Sequence, residues 1–384
     1  MRQLVAFLLF AAGASLADAR QEHPVSQEEV APVPAPANSS KDFVRFAFNF
    51  YTQKDGGGNP HLKEDMVVLE PQVLVGQQLS DRWFGTLKVQ SYTISAASID
   101  KKNRFPPGTQ SGASGDKYFG VEASGFYAWS DQTTVGGGLS LSTEYDYSSA
   151  GGYLRWVHDT ASHNDTFVVR LSAFFDTLDL ILFDGTQPGT DSRESFSLGL
   201  GWTHVIGPRT LATLNWDLTS QTGFLSTPYN SVVAAGTEVQ EILPDTRFRN
   251  SIFGRVRHLL FDDFAVEPGV GVYFDDWGAT AFTTEVNFAW EVLPGDLIIR
   301  TGYRFHSQTA VDDFVPDTAT SIPEFRTQDS DLADFTSHTF GLKFLLPRPK
   351  FIGDKHEVEL GMDYTLRSDN LDAYSFTLGY QWRF

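Results

Sequence analysis

The stretch YSFTLGYQWRF, residues 374–384, decides the fold. Tyr374, Phe376, Leu378, Tyr380, Trp382 and Phe384 take every second position, and Ser375, Thr377, Gly379, Gln381 and Arg383 fill the places between. Strand side chains alternate faces with period two, so the stretch predicts a strand with one aromatic, apolar face and one polar face. Six large apolar groups on a single terminal strand are unfavourable in water. A strand with lipid on one side and water on the other requires this pattern.

Reading backward from it, the same alternation recurs in units of about ten residues. Val44, Phe46, Phe48 and Phe50 alternate with Arg45, Ala47 and Asn49. Phe196, Leu198, Leu200 and Trp202 alternate with Ser195, Ser197, Gly199 and Gly201. Val358, Leu360, Met362 and Tyr364 alternate with Glu357, Glu359 and Asp363. Charged residues repeatedly take the face opposite the apolar one. The pattern predicts an all-β protein, a transmembrane antiparallel up-and-down β-barrel of about sixteen strands. The strands are expected near 43–51, 66–77, 83–94, 118–129, 133–147, 150–158, 166–177, 194–204, 210–220, 248–259, 265–275, 279–292, 297–307, 335–346, 356–367 and 373–384.

Connection lengths support this reading independently. LSDR, SDQ, VIGPR, LFDD and LPGD are short, whereas the segments near 52–65, 95–117, 178–193, 221–247 and 308–334 are long. Outer-membrane barrels pair short periplasmic turns with longer outer loops. A periplasmic N-terminus places every long segment outside and Phe384 inside. Two features strain the count. Pro71 and Pro268 fall inside expected strands, which predicts a later strand start or a bulge at each. The strand near 150–158 follows a very short loop, and losing it would leave fourteen strands.

Residues 1–19 read as a secretory signal: Arg2, an apolar run, and Ala17-Asp18-Ala19 as a small-x-small cleavage site. Residues 20–42, with Pro24, Pro32, Pro34 and Pro36, are expected to form a disordered periplasmic leader. The barrel domain would then be 43–384. The chain has no cysteine, which excludes disulfides, thiolate metal sites and a lipid-anchoring cysteine. A mean hydropathy of −0.21 is compatible with alternating faces. A net charge of −19 argues against a nucleic-acid partner.

Strand phase directs Arg45, Lys88, Glu144, Arg170, Arg255, Arg257, Glu285, Arg300, Arg304, Lys343, Glu359, Asp363, Arg367 and Arg383 inward as candidate pore-lining groups. Trp83, Trp129, Trp156, Trp202, Trp277, Trp290 and Trp382 lie near strand ends, as an interfacial girdle would. Asp312, Asp313, Asp329 and Asp331 form a weak calcium candidate without EF-hand spacing. His306 with Asp312, Asp313, Asp275 and Asp276 is a weaker candidate for hydrolysis at the barrel rim. No cofactor motif is present.

TISAASIDKK (93–102), STEYDYSSAGG (142–152), GFLSTPYNSV (223–232), VYFDDWG (272–278), YRFHSQTAVDDF (303–314) and FRTQDSDLADFTSH (325–338) together resemble an uncharacterised family of Gram-negative outer-membrane proteins, a domain of unknown function. The resemblance runs from about Phe43 to Phe384. It implies an outer-membrane barrel and a porin-like channel, and it carries no catalytic residues. The closing Tyr380, Trp382 and Phe384 are similar to the terminal signal read by the barrel assembly machinery. The expected partners are outer-membrane lipid and lipopolysaccharide, that machinery, and small solutes or ions. The expected function is passive diffusion of ions or small hydrophilic solutes. The alternative is a non-conducting barrel that anchors another envelope component.

Overall fold

The computed structural model describes residues 42–56, 65–96, 117–349 and 352–384. The signal, most of the leader, and the segments 57–64 and 97–116 lie outside the described residues. The first nine strands are β1 (Phe43–Asp55), β2 (Met66–Gln78), β3 (Trp83–Ala96), β4 (Lys117–Ala128), β5 (Thr133–Thr143), β6 (Tyr147–Asp159), β7 (Asp165–Leu180), β8 (Gly189–Gly207) and β9 (Thr210–Gly223). A small hairpin, β10 (Ser231–Ala234) and β11 (Thr237–Gln240), stands apart from the wall. The wall continues with β12 (Thr246–Leu259), β13 (Phe264–Asp275), β14 (Thr280–Leu293), β15 (Leu297–Gln308), β16 (Phe335–Leu346), β17 (His356–Arg367) and β18 (Leu371–Arg383).

Omitting the hairpin, each strand pairs with its sequence neighbours, and β1 pairs antiparallel with β18 to close a sixteen-strand barrel. At the seam Phe46 faces Tyr380, Phe48 faces Leu378 and Phe50 faces Phe376. Closure leaves no free sheet edge, as a lipid environment demands of backbone polar groups.

Three expectations change. The strand near 150–158 is a full member, β6, paired along its length with β5 and β7. Its turn is simply tight, at 144–146, so fourteen strands is excluded. Pro71 and Pro268 neither delay their strands nor create bulges. Pro71 pairs with Phe48 on one side, while the β2–β3 ladder passes from Leu69–Thr93 to Gln72–Gln90 without changing register. Pro268 pairs with Val286, and the β12–β13 ladder skips from Arg255–Gly269 to His258–Val266 in the same way. Each proline interrupts one ladder locally, and the other ladder holds the strand in place. The third change is the hairpin β10–β11, which the periodicity did not announce. Its turn is Ala235-Gly236, both with positive φ (51° and 76°). Two positive-φ residues make a primed hairpin turn, usually signalled by Asn-Gly or Asp-Gly. Alanine at the first position hides that signal.

The wall separates its two faces as the alternation requires. Phe46, Leu139, Leu154, Leu171, Phe196 and Met362 are exposed on the outside. Trp83, Trp129, Trp156, Trp202, Trp290 and Trp382 are exposed too, and all lie toward the end that carries the short turns. Trp277 departs from this girdle: it is 5% exposed, inside a loop core at the opposite end. On the inner face, aromatic rings lie flat over glycines of neighbouring strands. A Cβ on Gly151 would sit 2.2 Å from the Phe174 ring, and one on Gly136 2.3 Å from the Phe126 ring. Glycine is required there because the ring occupies the space a side chain would fill.

Candidate functional site

The inner wall is polar and heavily charged. Arg45 Nη2 donates to Glu359 Oε2 at 3.1 Å, and Lys343 Nζ reaches Glu359 Oε1 at 2.7 Å, so one carboxylate holds two cations. Glu267 does the same for Arg257 (2.6 Å) and Arg255 (3.5 Å). Arg255 also approaches Glu285 at 3.9 Å, and Glu285 stands directly opposite Arg304 in the β14–β15 ladder. Arg383 pairs with Glu357 at 2.8 Å. Arg300 faces Lys343, and Lys88 faces Glu122, across their ladders. Arg170 donates to Ser172 and lies 4.0 Å from the centre of the Tyr153 ring. The Tyr92 hydroxyl donates to Glu144. Ser375 donates to Asp363 at 3.1 Å. All fourteen named candidates therefore lie on the strand faces, or strand ends, opposite the exposed apolar set.

The same wall holds further charged residues that strand phase alone does not single out. Arg193 pairs with Asp176 at 2.9 Å, and Arg247 with Asp275 at 2.7 Å. Glu267 and Glu357 hold arginines as described above. Glu267 precedes Pro268, and a proline there weakens the strand pattern that would direct the carboxylate inward. Asp176 takes a polar position of β7, but its partner Arg193 lies in the extension of β8 toward Gly189, which reads as loop in the sequence.

The mouth at the long-loop end carries a packed cap. It is built from the segments 224–245 and 309–334, with 276–279 between them. Leu225, Leu243, Trp277, Ala279, Val311 and Leu332 form one core, and Val232, Ala234 and Val315 a second. A backbone bridge joins the two long segments at Ile242 and Arg326. Arg326 itself donates to the carbonyls of Gln240, Pro323 and Glu324, closing the joint.

The cap is fixed to the inner face of the wall. Arg367, on the inward face of β17, donates to Asp331 at 2.5 Å and to the Ser330 carbonyl at 2.8 Å, and its guanidinium lies 3.9 Å from the centre of the Phe335 ring. Gln308 Nε2 donates to the carbonyls of Asp331 and Ala333. Arg247 stacks on the Trp277 ring at 4.3 Å, and the Trp277 indole donates to the Thr246 carbonyl. Residues 330–333 are thus held against the lumen side of β15 and β17.

Within the cap, Glu241 is 1% exposed and Asp329 3%. Glu241 accepts hydrogen bonds from the Thr227 backbone N–H (2.7 Å), from Thr327 Oγ1 (2.7 Å) and from Asn230 Nδ2 (3.5 Å). Asn230 Nδ2 also donates to Asp329 Oδ2 at 3.0 Å, so one amide links both carboxylates. Burial, reinforced by the nearby Asp329, pushes the Glu241 carboxyl up to about 8.

The calcium candidate does not assemble. Asp331 is taken by Arg367, Asp329 by Asn230, and Asp312 and Asp313 line a separate cavity of about 200 Å³ with Phe314 and Phe325. Among the described residues no group of three or more His, Asp or Glu side chains is placed to hold a metal. The rim-hydrolase arrangement does not form either. His306 bonds to Thr283 at 2.8 Å and Gln308 at 3.3 Å, while Asp275 is held by Arg247 and Tyr273. No carboxylate is among the hydrogen-bond partners of His306.

An apolar exterior, a charged interior and full closure define an outer-membrane β-barrel. Over residues 6–378 the chain matches the family described as "Protein of unknown function (DUF3570)", and it belongs to that family. Among solved structures, a bacterial polysaccharide outer membrane secretin aligns with a TM-score of 0.53 at 10% identity, over 91% of this chain and 100% of that one. The siderophore receptor PirA from Acinetobacter baumannii aligns with a TM-score of 0.46 at 12% identity, over 84% of this chain and 52% of the receptor, so the chain spans about half the receptor's length. The CymD monoaromatic hydrocarbon channel aligns with a TM-score of 0.41 at 10% identity, over 90% and 89%. At these identities the likeness is one of fold. No curated protein matches the chain.

Proposed function

We propose that this barrel is an outer-membrane channel for passive diffusion of ions or small hydrophilic solutes. The observation that carries the reading is the disposition of the inner charges. Glu359 and Glu267 bind cations one or two strands away, so these side chains lie along the wall rather than reaching across the barrel. A circumference of sixteen strands leaves an aqueous path where loops do not fill it. Fixed charges along such a path select solutes, because the low-dielectric wall focuses their field. The pore-lining groups are the fourteen candidates named above, joined by Glu267 and Glu357. The long-loop end faces outward, where its acidic loops meet lipopolysaccharide. The terminal Tyr380, Trp382 and Phe384 face the periplasm, within reach of the assembly machinery. Residues 1–19 direct export, and 20–42 form the leader.

The packed cap favours a second reading, a non-conducting barrel that anchors another envelope component. Protein refolded into planar bilayers separates the two. Discrete conductance steps support the channel, and their absence from correctly folded barrels at every pH supports the scaffold.

A further inference from the structure

Where the two long segments of the cap meet, the buried Glu241 accepts hydrogen bonds from neutral donors and shares the Asn230 amide with Asp329. We propose that the cap is a proton-controlled gate: it is closed while Glu241 keeps its proton and loosens from the mouth when that proton is lost. The proposal rests on the channel reading above.

The geometry supplies the mechanism. Glu241 belongs to the segment that carries β10 and β11, and Thr327 and Asp329 belong to the other long segment. Every hydrogen bond to Glu241 comes from a neutral donor: the Thr227 amide, the Thr327 hydroxyl and the Asn230 amide. From the first segment Thr227 and Asn230 donate to it. From the second, the charged group facing it is Asp329. Beyond Asp329, Asp331 is engaged by Arg367, and Arg326 is turned to backbone carbonyls. Ionising Glu241 therefore places a charge in a buried joint beside the Asp329 carboxyl group, with neutral donors alone to meet it. A buried charge without a counter-ion is strongly destabilising. Its folded value lies above the ordinary carboxylate range, so the stabilisation it gives the closed cap is present at low pH. That stabilisation is lost as pH rises through about 8.

Loosening this joint frees the same segment that holds Asp331 against Arg367 and Ala333 against Gln308. Closure and release of the mouth are thereby tied to one proton. In the barrel strands Glu359 and Glu267 are met by cations, and the strands are not drawn into the transition.

The test uses the full-length barrel refolded in lipid vesicles. Amide hydrogen exchange over 224–245 and 309–334, corrected for intrinsic rates, is followed from about pH 6.5 to about pH 9.5. The expected result is a rise of roughly tenfold or more in the cap, with its midpoint near 8 and no change in the strands. Glu241→Gln should abolish the rise. Asp329→Asn, which removes the facing charge, should move the midpoint to lower pH. If Glu241→Gln does not fold, the Asp329→Asn shift decides, and an unmoved midpoint overturns the proposal. Conductance recorded over the same range should increase with the exchange. A barrel that conducts while its cap exchange stays flat with pH overturns the gate and leaves the channel standing. A cap that loosens while no conductance appears at any pH overturns the channel reading, and the gate with it.

Discussion

The barrel wall and the cap at its mouth bury charge in opposite ways. In the wall, carboxylates meet cations one or two strands away: Glu359 with Lys343 and, across β18, with Arg45, and Glu267 with Arg255 and Arg257. In the cap, Glu241 and Asp329 meet through the Asn230 amide. The wall's arrangement tolerates both charges and fixes side chains along the strands. The cap's arrangement meets the Glu241 carboxyl with neutral donors only and so penalises its ionisation. The contrast teaches that a stable wall and a releasable closure can share one chain. The first is held by ladders between every pair of neighbouring strands, and the second by two small apolar cores, a backbone bridge and a few side-chain contacts.

Substitutions that strike one region and spare the other test this contrast. The largest effect is expected on the outside of the wall. Leu139, 74% exposed near the middle of β5, faces lipid, and Leu139→Arg should destabilise the barrel by about 2–4 kcal/mol. Urea unfolding in lipid vesicles measures it, and an unchanged midpoint would break the assignment of faces. Next is the inner surface. Gly151→Ala places a methyl where the Phe174 ring lies and should cost about 1–3 kcal/mol in the same assay.

In the cap, Thr327→Val deletes one of the donors to Glu241 at a site of 0% exposure. It should cost about 1–3 kcal/mol locally, seen as faster amide exchange in 309–334, with global unfolding unchanged. A global shift would mean that the cap and wall unfold as one unit. The smallest stability effect is expected from Glu359→Gln in the lumen, about 1 kcal/mol, because the freed cations remain near water. Its signature is electrical. Removing a negative charge beside Arg45 and Lys343 should move the reversal potential in a salt gradient toward anion preference.

The wall was legible because its physics is local. A period of two over ten or more residues assigns a face to every side chain, so Arg45, Glu285 and Lys343 could be directed inward before any partner was known. Pairing was not legible, since Arg45 and Glu359 are distant in sequence and meet only through closure. The cap escaped for a different reason. Its hairpin turns on Ala235, a residue with no turn signature, and its cores draw single apolar residues from three loops. Asp329 and Asp331 read as one acidic cluster, yet one is buried beside Asn230 and the other is bound to Arg367. Trp277 read as part of the interfacial girdle and is instead a core residue of the cap.

Single-channel recording of the refolded full-length protein in planar bilayers tests the central claim most directly. The account predicts discrete ion-conducting steps, with reversal potentials that shift when Glu359 is neutralised. Correctly folded barrels that insert and give no steps at any pH would contradict it.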